Sequence, residues 1–259
     1  MNSTELGCLV SSYQHRRPSL YDSHSFYYIS KLVLAISSVS SPISAVGNCL
    51  VMVAIMRTPY LHTPDNILVG ALAVADCLIG AVVQPMLMAV MIKPDVFLRI
   101  CPFVTAYTLV GFVCSNSVSL MAAVSGERCM ALFQPLRYSS IVTNNKAFIT
   151  ALLIWFVWVV AGCCSCFGGV LFTIGQTFAG IVWFASCIII GASYIKICLL
   201  VRHHRRQIHA QHAAISSANT NTASQAKIAV TMGYVIGLSL LCYLPTTFVC
   251  QIFLHHQAA

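Results

Sequence analysis

Ser125-Gly126-Glu127-Arg128-Cys129, followed closely by Ala131-Leu132-Phe133-Gln134-Pro135-Leu136-Arg137-Tyr138, closes the third of six long apolar runs in this chain. An acid and a base side by side at the end of a membrane-length segment are costly, so such a pair reads as functional by default. The plainer alternative is an arginine that anchors the segment by reaching for the interface. Glu127 beside it and the Pro135-Leu136-Arg137-Tyr138 run argue against that alternative.

The composition around this stretch fixes the solvent. The chain is 58% hydrophobic and 8% charged, against roughly 25% charged in soluble domains. A bilayer core of about 30 Å needs about 20 apolar residues of helix. Backbone groups in lipid must be satisfied internally, so the runs imply helices. Barrel strands would alternate apolar and polar, which these runs do not. The expected fold is an all-α integral membrane protein. Membrane enzymes and transporters share this composition, so it does not decide the function.

The six runs fall at 28–56, 66–92, 101–132, 147–167, 178–201 and 227–253. Polar punctuation separates them, with only Gly175-Gln176 between the fourth and fifth, which implies a very short loop. The expected layout is an outer tail at 1–27, a membrane domain at 28–253 with an inner loop at about 202–226, and a short outer end at 254–259. Arg57, Arg128, Arg137, Lys146, Lys196, Arg202, Arg205, Arg206 and Lys227 lie on one side; Arg16, Arg17, Lys31, Lys93 and Arg99 lie on the other. The positive-inside rule then puts the N-terminus outside. Asn2-Ser3-Thr4 is a glycosylation sequon on that outer side. The polar start lacks the apolar core of a cleavable signal peptide. The net charge of +8 favours anionic lipid over nucleic acid, because the basic residues border membrane helices. Most of the 13 cysteines sit inside the runs and read as small packing residues.

The runs also carry motifs in a telling order. Gly47-Asn48 lies in the first and Leu72-Ala73-Val74-Ala75-Asp76 in the second. Glu127-Arg128-Cys129 ends the third, Trp158 is in the fourth, Tyr194 near the end of the fifth, and Cys242-Tyr243-Leu244-Pro245 in the sixth. Together they resemble rhodopsin-like (class A) G-protein-coupled receptors, as a helical bundle with six of the seven transmembrane helices present. Leu136 to Thr143 and Gly169 to Ile174 are similar to melanocortin receptors, in the neighbourhood of cannabinoid, lysophospholipid and adenosine receptors. A fifth helix with Ser186 in place of the usual proline fits the same subfamily.

The resemblance implies roles residue by residue. Glu127, Arg128, Pro135 and Tyr194 would form the activation switch that couples to a heterotrimeric G protein. Asp76, Asn48 and Ser117 would hold a sodium ion as an allosteric modulator; a protonated, hydrogen-bonded Asp76 is the bland alternative. Tyr243 would be the pocket floor and Pro245 the hinge of the sixth helix. Met86, Tyr107 and Val110 are the ligand-pocket candidates. Acidic ligand-binding positions of melanocortin receptors appear as Met86, Phe103 and Tyr107, and the amine-binding aspartate as Val110, which disfavours a biogenic amine there. The usual acid on the sixth helix that clasps the arginine is replaced by Gln225. The basic cluster from Arg202 to His212 reads as a solvated extension of the fifth helix.

The expected function is a plasma-membrane receptor, N-terminus outside, that passes an extracellular signal (peptide, lipid or small molecule) to a G protein, with no catalysis and no other cofactor. Membrane lipids and a receptor dimer are the further expected partners. The absent seventh helix leaves an alternative: a non-signalling six-helix form that pairs with and regulates full-length receptors. A channel or transporter fares worse, since Asp76 is the only acid deep in a run and no repeated halves appear.

Overall fold

The computed structural model describes residues 24–92, 102–166 and 169–212. The tail with Asn2, Gln225, and the sixth run with Tyr243 and Pro245 lie outside them. Every element among the described residues is helical: α1 His24–Arg57, α2 Pro64–Leu78, α3 Gln84–Ile92, α4 Pro102–Phe133, α5 Pro135–Ile141, α6 Asn144–Cys166 and α7 Gly169–His212. A 3-10 turn, Pro59–Leu61, joins α1 to α2, and a five-residue π-turn, Ile79–Val83, carries α2 into α3. Pro85 explains the π-turn: a proline in mid-helix has no N–H and crowds the carbonyl four residues back, so the helix widens just ahead of it.

The polarity of the bundle is the reverse of a soluble protein. Ser37, Ser41, Asn116, Ser117, Ser119, Ser125, Glu127, Ser186 and Ser193 are buried. Leu32, Ile36, Val39, Ile43, Val46 and Leu50 form an exposed apolar stripe down α1 at helical spacing. Phe148, Leu152, Phe156 and Val159 do the same on α6, and Ile174, Phe178, Ile181, Phe184 and Ile188 on α7. Apolar surface of that extent has lipid as its solvent. Four of the described helices are long and apolar enough to cross a membrane, over Leu34–Arg57, Pro64–Ala89, Asn144–Cys164 and Thr173–Leu200.

Helix α4 is the hub. It packs against α2, the π-turn, α5, α6 and α7, while α1 covers α2, the π-turn and α3. From Asn116 to Ala122 it is buried on every face. Leu120 and Val124 pack on Leu68, Ala75, Ala147 and Ala151; Val118, Met121 and Ala122 pack on Ile190. A polar tie runs through the same helix: Trp158 Nε1 donates to Ser119 Oγ at 3.0 Å, and Ser119 Oγ lies 3.5 Å from Ser186 Oγ. Trp158 and Ser186, read separately from the sequence, thus meet at one hydroxyl that joins α6 and α7 to α4.

Helix α7 crosses Gly175-Gln176, where the polar punctuation suggested a break. Gly175 is buried, and Thr177 Oγ1 donates to the Thr173 carbonyl at 2.8 Å. One glycine costs a helix roughly 1 kcal/mol, less than the several kcal/mol of leaving backbone groups unpaired in lipid. The fourth-run helix α6 therefore ends at Cys166 and α7 begins at Gly169, nine residues before the expected start of the fifth run. At 44 residues α7 is far longer than a bilayer requires, and its backbone stays helical through the basic cluster to His212.

Gly80 in the π-turn sets the distance between α1 and α2. Ser41 Oγ donates to its carbonyl at 2.7 Å. A Cβ on Gly80 would stand 2.7 Å from the Ala45 nitrogen and 2.9 Å from the Ser41 oxygen, both backbone atoms. Gly80→Ala should therefore push the helices apart and lower stability by roughly 1–3 kcal/mol. Gly47→Ala meets nothing within 4 Å and should be neutral or stabilising by about 0.5–1 kcal/mol. Thermal midpoints of the two variants in the same detergent check this, the first expected below the parent and the second at or above it.

Candidate functional site

Two acids on α2 face α4, one at each end of their contact. Asp65 stands in the first turn of α2, where an acid complements the helix dipole. The preceding Thr63 is the N-cap, but its hydroxyl makes no cap bond and donates instead to Asp65 Oδ1. Asp65 Oδ2 lies 3.0 Å from Arg128 Nη2, with both side chains largely shielded, at 17% exposure for Arg128 and 23% for Asp65. The adjoining Glu127 is more deeply buried. Its Oε1 accepts the phenol proton of Tyr138, while its Oε2 sits 3.7 Å from Arg128 Nε, beyond hydrogen-bond length. Those last two atoms have no hydrogen-bond partner.

Helix α5 brings Tyr138 to this place. Pro135 opens it at the first helical position, which suits its missing N–H, and Tyr138 N bonds back to the Gln134 carbonyl at 2.8 Å. Burial first, and then the hydrogen bond to Glu127, hold the Tyr138 phenol above its ordinary value. It therefore stays protonated and donating at physiological pH; because its folded pKa is raised, its contribution is lost only as strongly alkaline pH is reached. Around the cluster, Asn144 Nδ2 donates to the His62 carbonyl at 3.0 Å and Lys146 Nζ to the Ile141 carbonyl at 2.9 Å. These bonds tie the starts of α2 and α6 and the end of α5 together.

Asp76 lies three turns further along α2. Ser117 Oγ, fully buried, donates to Asp76 Oδ1 at 2.5 Å. Asn48 approaches through an intermediate: its Nδ2 donates to the Ser44 carbonyl at 2.9 Å and lies 3.4 Å from Ser44 Oγ, which donates to the Asp76 backbone carbonyl at 3.2 Å. The Asp76 carboxylate thus takes a hydrogen bond from Ser117, while Asn48 stays a step away behind Ser44.

The other residues picked out from the sequence are more scattered. Tyr194 packs on Val118, Met121, Ala122 and Ile190, with its hydroxyl against Ser125, nearly a turn short of Arg128 along α4. Met86 packs on Ile79 and Val83. Tyr107 and Val110 lie on the first part of α4. Sequence reasoning missed Asp65 and Thr63. Thr63-Pro64-Asp65 reads as an ordinary helix start, and nothing in its spacing announces an arginine more than sixty residues away.

The geometry agrees with what comparison finds. Residues 47–176, half of the chain, match the family of 7-transmembrane receptors (rhodopsin family). The chain belongs to that family, whose members are membrane receptors that answer extracellular ligands through G proteins and are not enzymes. It is 26% identical to trace amine-associated receptor 9 of Homo sapiens, over 83% of this chain and 69% of that one. It is 28% identical to melanocortin receptor 3 of Homo sapiens, over 78% and 64%, and 25% identical to adenosine receptor A2b of Gallus gallus, over 85% and 71%. Melanocortin and adenosine receptors belong to the expected neighbourhood; the trace amine-associated receptors widen it.

Tyr138→Phe removes the donor to Glu127 and leaves a buried carboxylate without that bond. It should destabilise the protein by about 1–3 kcal/mol. The check is the thermal midpoint of purified protein in one detergent, expected to fall by several degrees; an unchanged midpoint would show that Glu127 does not depend on the phenol.

Proposed function

We propose that the chain is a plasma-membrane receptor, N-terminus outside and glycosylated at Asn2, whose basic end faces the cytoplasm and engages a heterotrimeric G protein. The observation that carries this reading is the shielded Arg128 held by an acid of a neighbouring helix at the basic end of the bundle. A half-buried ion pair is poor stabilisation, because desolvation offsets most of the attraction. It is well suited to a switch, since the same arginine can be released to another partner at little net cost.

The working cycle is a population shift and involves no bond chemistry. A ligand among Met86, Tyr107 and Val110, above a floor at Tyr243, binds the open-inward state better and moves the population toward it. The sixth helix pivots at Pro245. Arg128 leaves its acids and, with Tyr194 and the Pro135 helix, lines a cleft for the G protein. The amine named by the trace amine-associated receptors does not come with the likeness, because Val110 stands where an amine-binding aspartate would be. A peptide, a lipid or another small molecule remains, and membrane lipids and a second receptor are the other partners. Asp76 and Ser117 would contribute oxygens to a sodium ion, which would favour the resting packing of α2 on α4.

The test is guanine-nucleotide exchange in membranes from cells that display the chain, measured as uptake of a non-hydrolysable GTP analogue per surface receptor. Arg128→Ala should abolish exchange, a loss of roughly tenfold or more, with surface amount kept; unchanged exchange removes Arg128 from the role. Asp76→Asn should make exchange insensitive to replacing sodium by a large organic cation, where the parent is inhibited by sodium.

A further inference from the structure

We infer that Asp65 is the acid that restrains Arg128 at rest, in place of the sixth-helix acid for which this chain has Gln225; the inference rests on the reading of Arg128 as the coupling switch. Three observations carry it. First, Asp65 makes the close contact, 3.0 Å from Oδ2 to Arg128 Nη2, while Glu127 stands at 3.7 Å and spends its other oxygen on Tyr138. Second, Asp65 belongs to another helix. Glu127 shares α4 with Arg128, so the contact between those two holds α4 against no other helix, whereas the Asp65 contact ties α4 to α2 directly. Third, Asp65 is itself held: Thr63 donates to its other oxygen, and the turn before it is bonded to α6 through Asn144 and the His62 carbonyl. An anchored carboxylate loses little freedom when it captures a guanidinium, so the pair is favoured without any help from the sixth helix.

The consequence is that the resting restraint lies between α2 and α4. Outward movement of the sixth helix would not break it, so a G protein entering the cleft must take Arg128 from Asp65. Asp65 is thus a positioning residue: it sets how often Arg128 is free in the absence of ligand. Weakening it should raise basal signalling without touching the coupling surface.

The experiment is basal GTP-analogue uptake in membranes displaying the chain, corrected for surface amount, for the parent, Asp65→Asn, Asp65→Glu, Thr63→Ala, Arg128→Ala and the double variant Asp65→Asn with Arg128→Ala. Asp65→Asn should raise basal uptake by roughly fivefold. Thr63→Ala should raise it by less, Asp65→Glu should stay near the parent, and Arg128→Ala should abolish uptake in either background. If Asp65→Asn and Thr63→Ala leave uptake at the parent level while Arg128→Ala abolishes it, the receptor reading stands and the role of Asp65 is overturned. If Asp65→Glu rises as much as Asp65→Asn, the charge is not the cause and the role is again overturned. If Arg128→Ala changes nothing, the coupling reading fails and takes this one with it. Should Asp65→Asn not reach the surface, Thr63→Ala decides the matter, since it keeps the carboxylate and removes only its anchor.

Discussion

Polar groups on α4 have nowhere to go but inward, and the bundle is built around that constraint. A helix in lipid must hide its serines, its amide and its charges among its neighbours. On α4 they occur on every side: Ser117 faces Asp76 of α2, Ser119 meets Trp158 of α6 and Ser186 of α7, and Arg128 meets Asp65 of α2. Each of these contacts specifies a neighbour. Apolar packing alone would hold the helices together while leaving their rotation about α4 loosely defined, since lipid and leucine are nearly equivalent surroundings. The buried polar atoms remove that freedom, and the exposed leucines, isoleucines and phenylalanines of α1, α6 and α7 are what remains when the polar side has been used.

This is also why so much was readable in the sequence. Length and composition are enough to name helices in a membrane, and the ordered motifs name the family, because Asn48, Asp76, Arg128 and Trp158 are polar or bulky residues that only particular partners can satisfy. The pairing of Ser117 with Asp76 came from the family resemblance, and the structure joins the two by a hydrogen bond. The Arg128 contact was not readable in the same way. Glu127 is its neighbour in the chain and looks like the obvious partner, but consecutive residues on a helix point in directions about 100° apart. Glu127 therefore turns toward Tyr138 on α5 while Arg128 turns toward α2. The start of α7 is hidden in the sequence for a related reason: Gly175 and Gln176 look like punctuation in a list of hydropathies, yet a membrane helix keeps its backbone hydrogen bonds through a small and a polar residue.

The sites at Asp76 and Arg128 belong to one mechanical unit. Eleven residues separate Asp65 from Asp76 on α2, and eleven separate Ser117 from Arg128 on α4. Eleven residues are close to three full turns, so each pair of positions lies on one stripe of its helix. The two helices run antiparallel, and the two contacts are rungs of one ladder, about 16 Å apart along the axis. A slide or rotation of α4 against α2 that loosens one rung misaligns the other. An ion or proton at Asp76 need not signal to Arg128 through a chain of side chains; it has only to favour the register in which both rungs close. In the proposed switch, the restraint on Arg128 is the sum of a local ion pair and the fit of two helices, and its sensitivity follows from how nearly the two states of that fit balance.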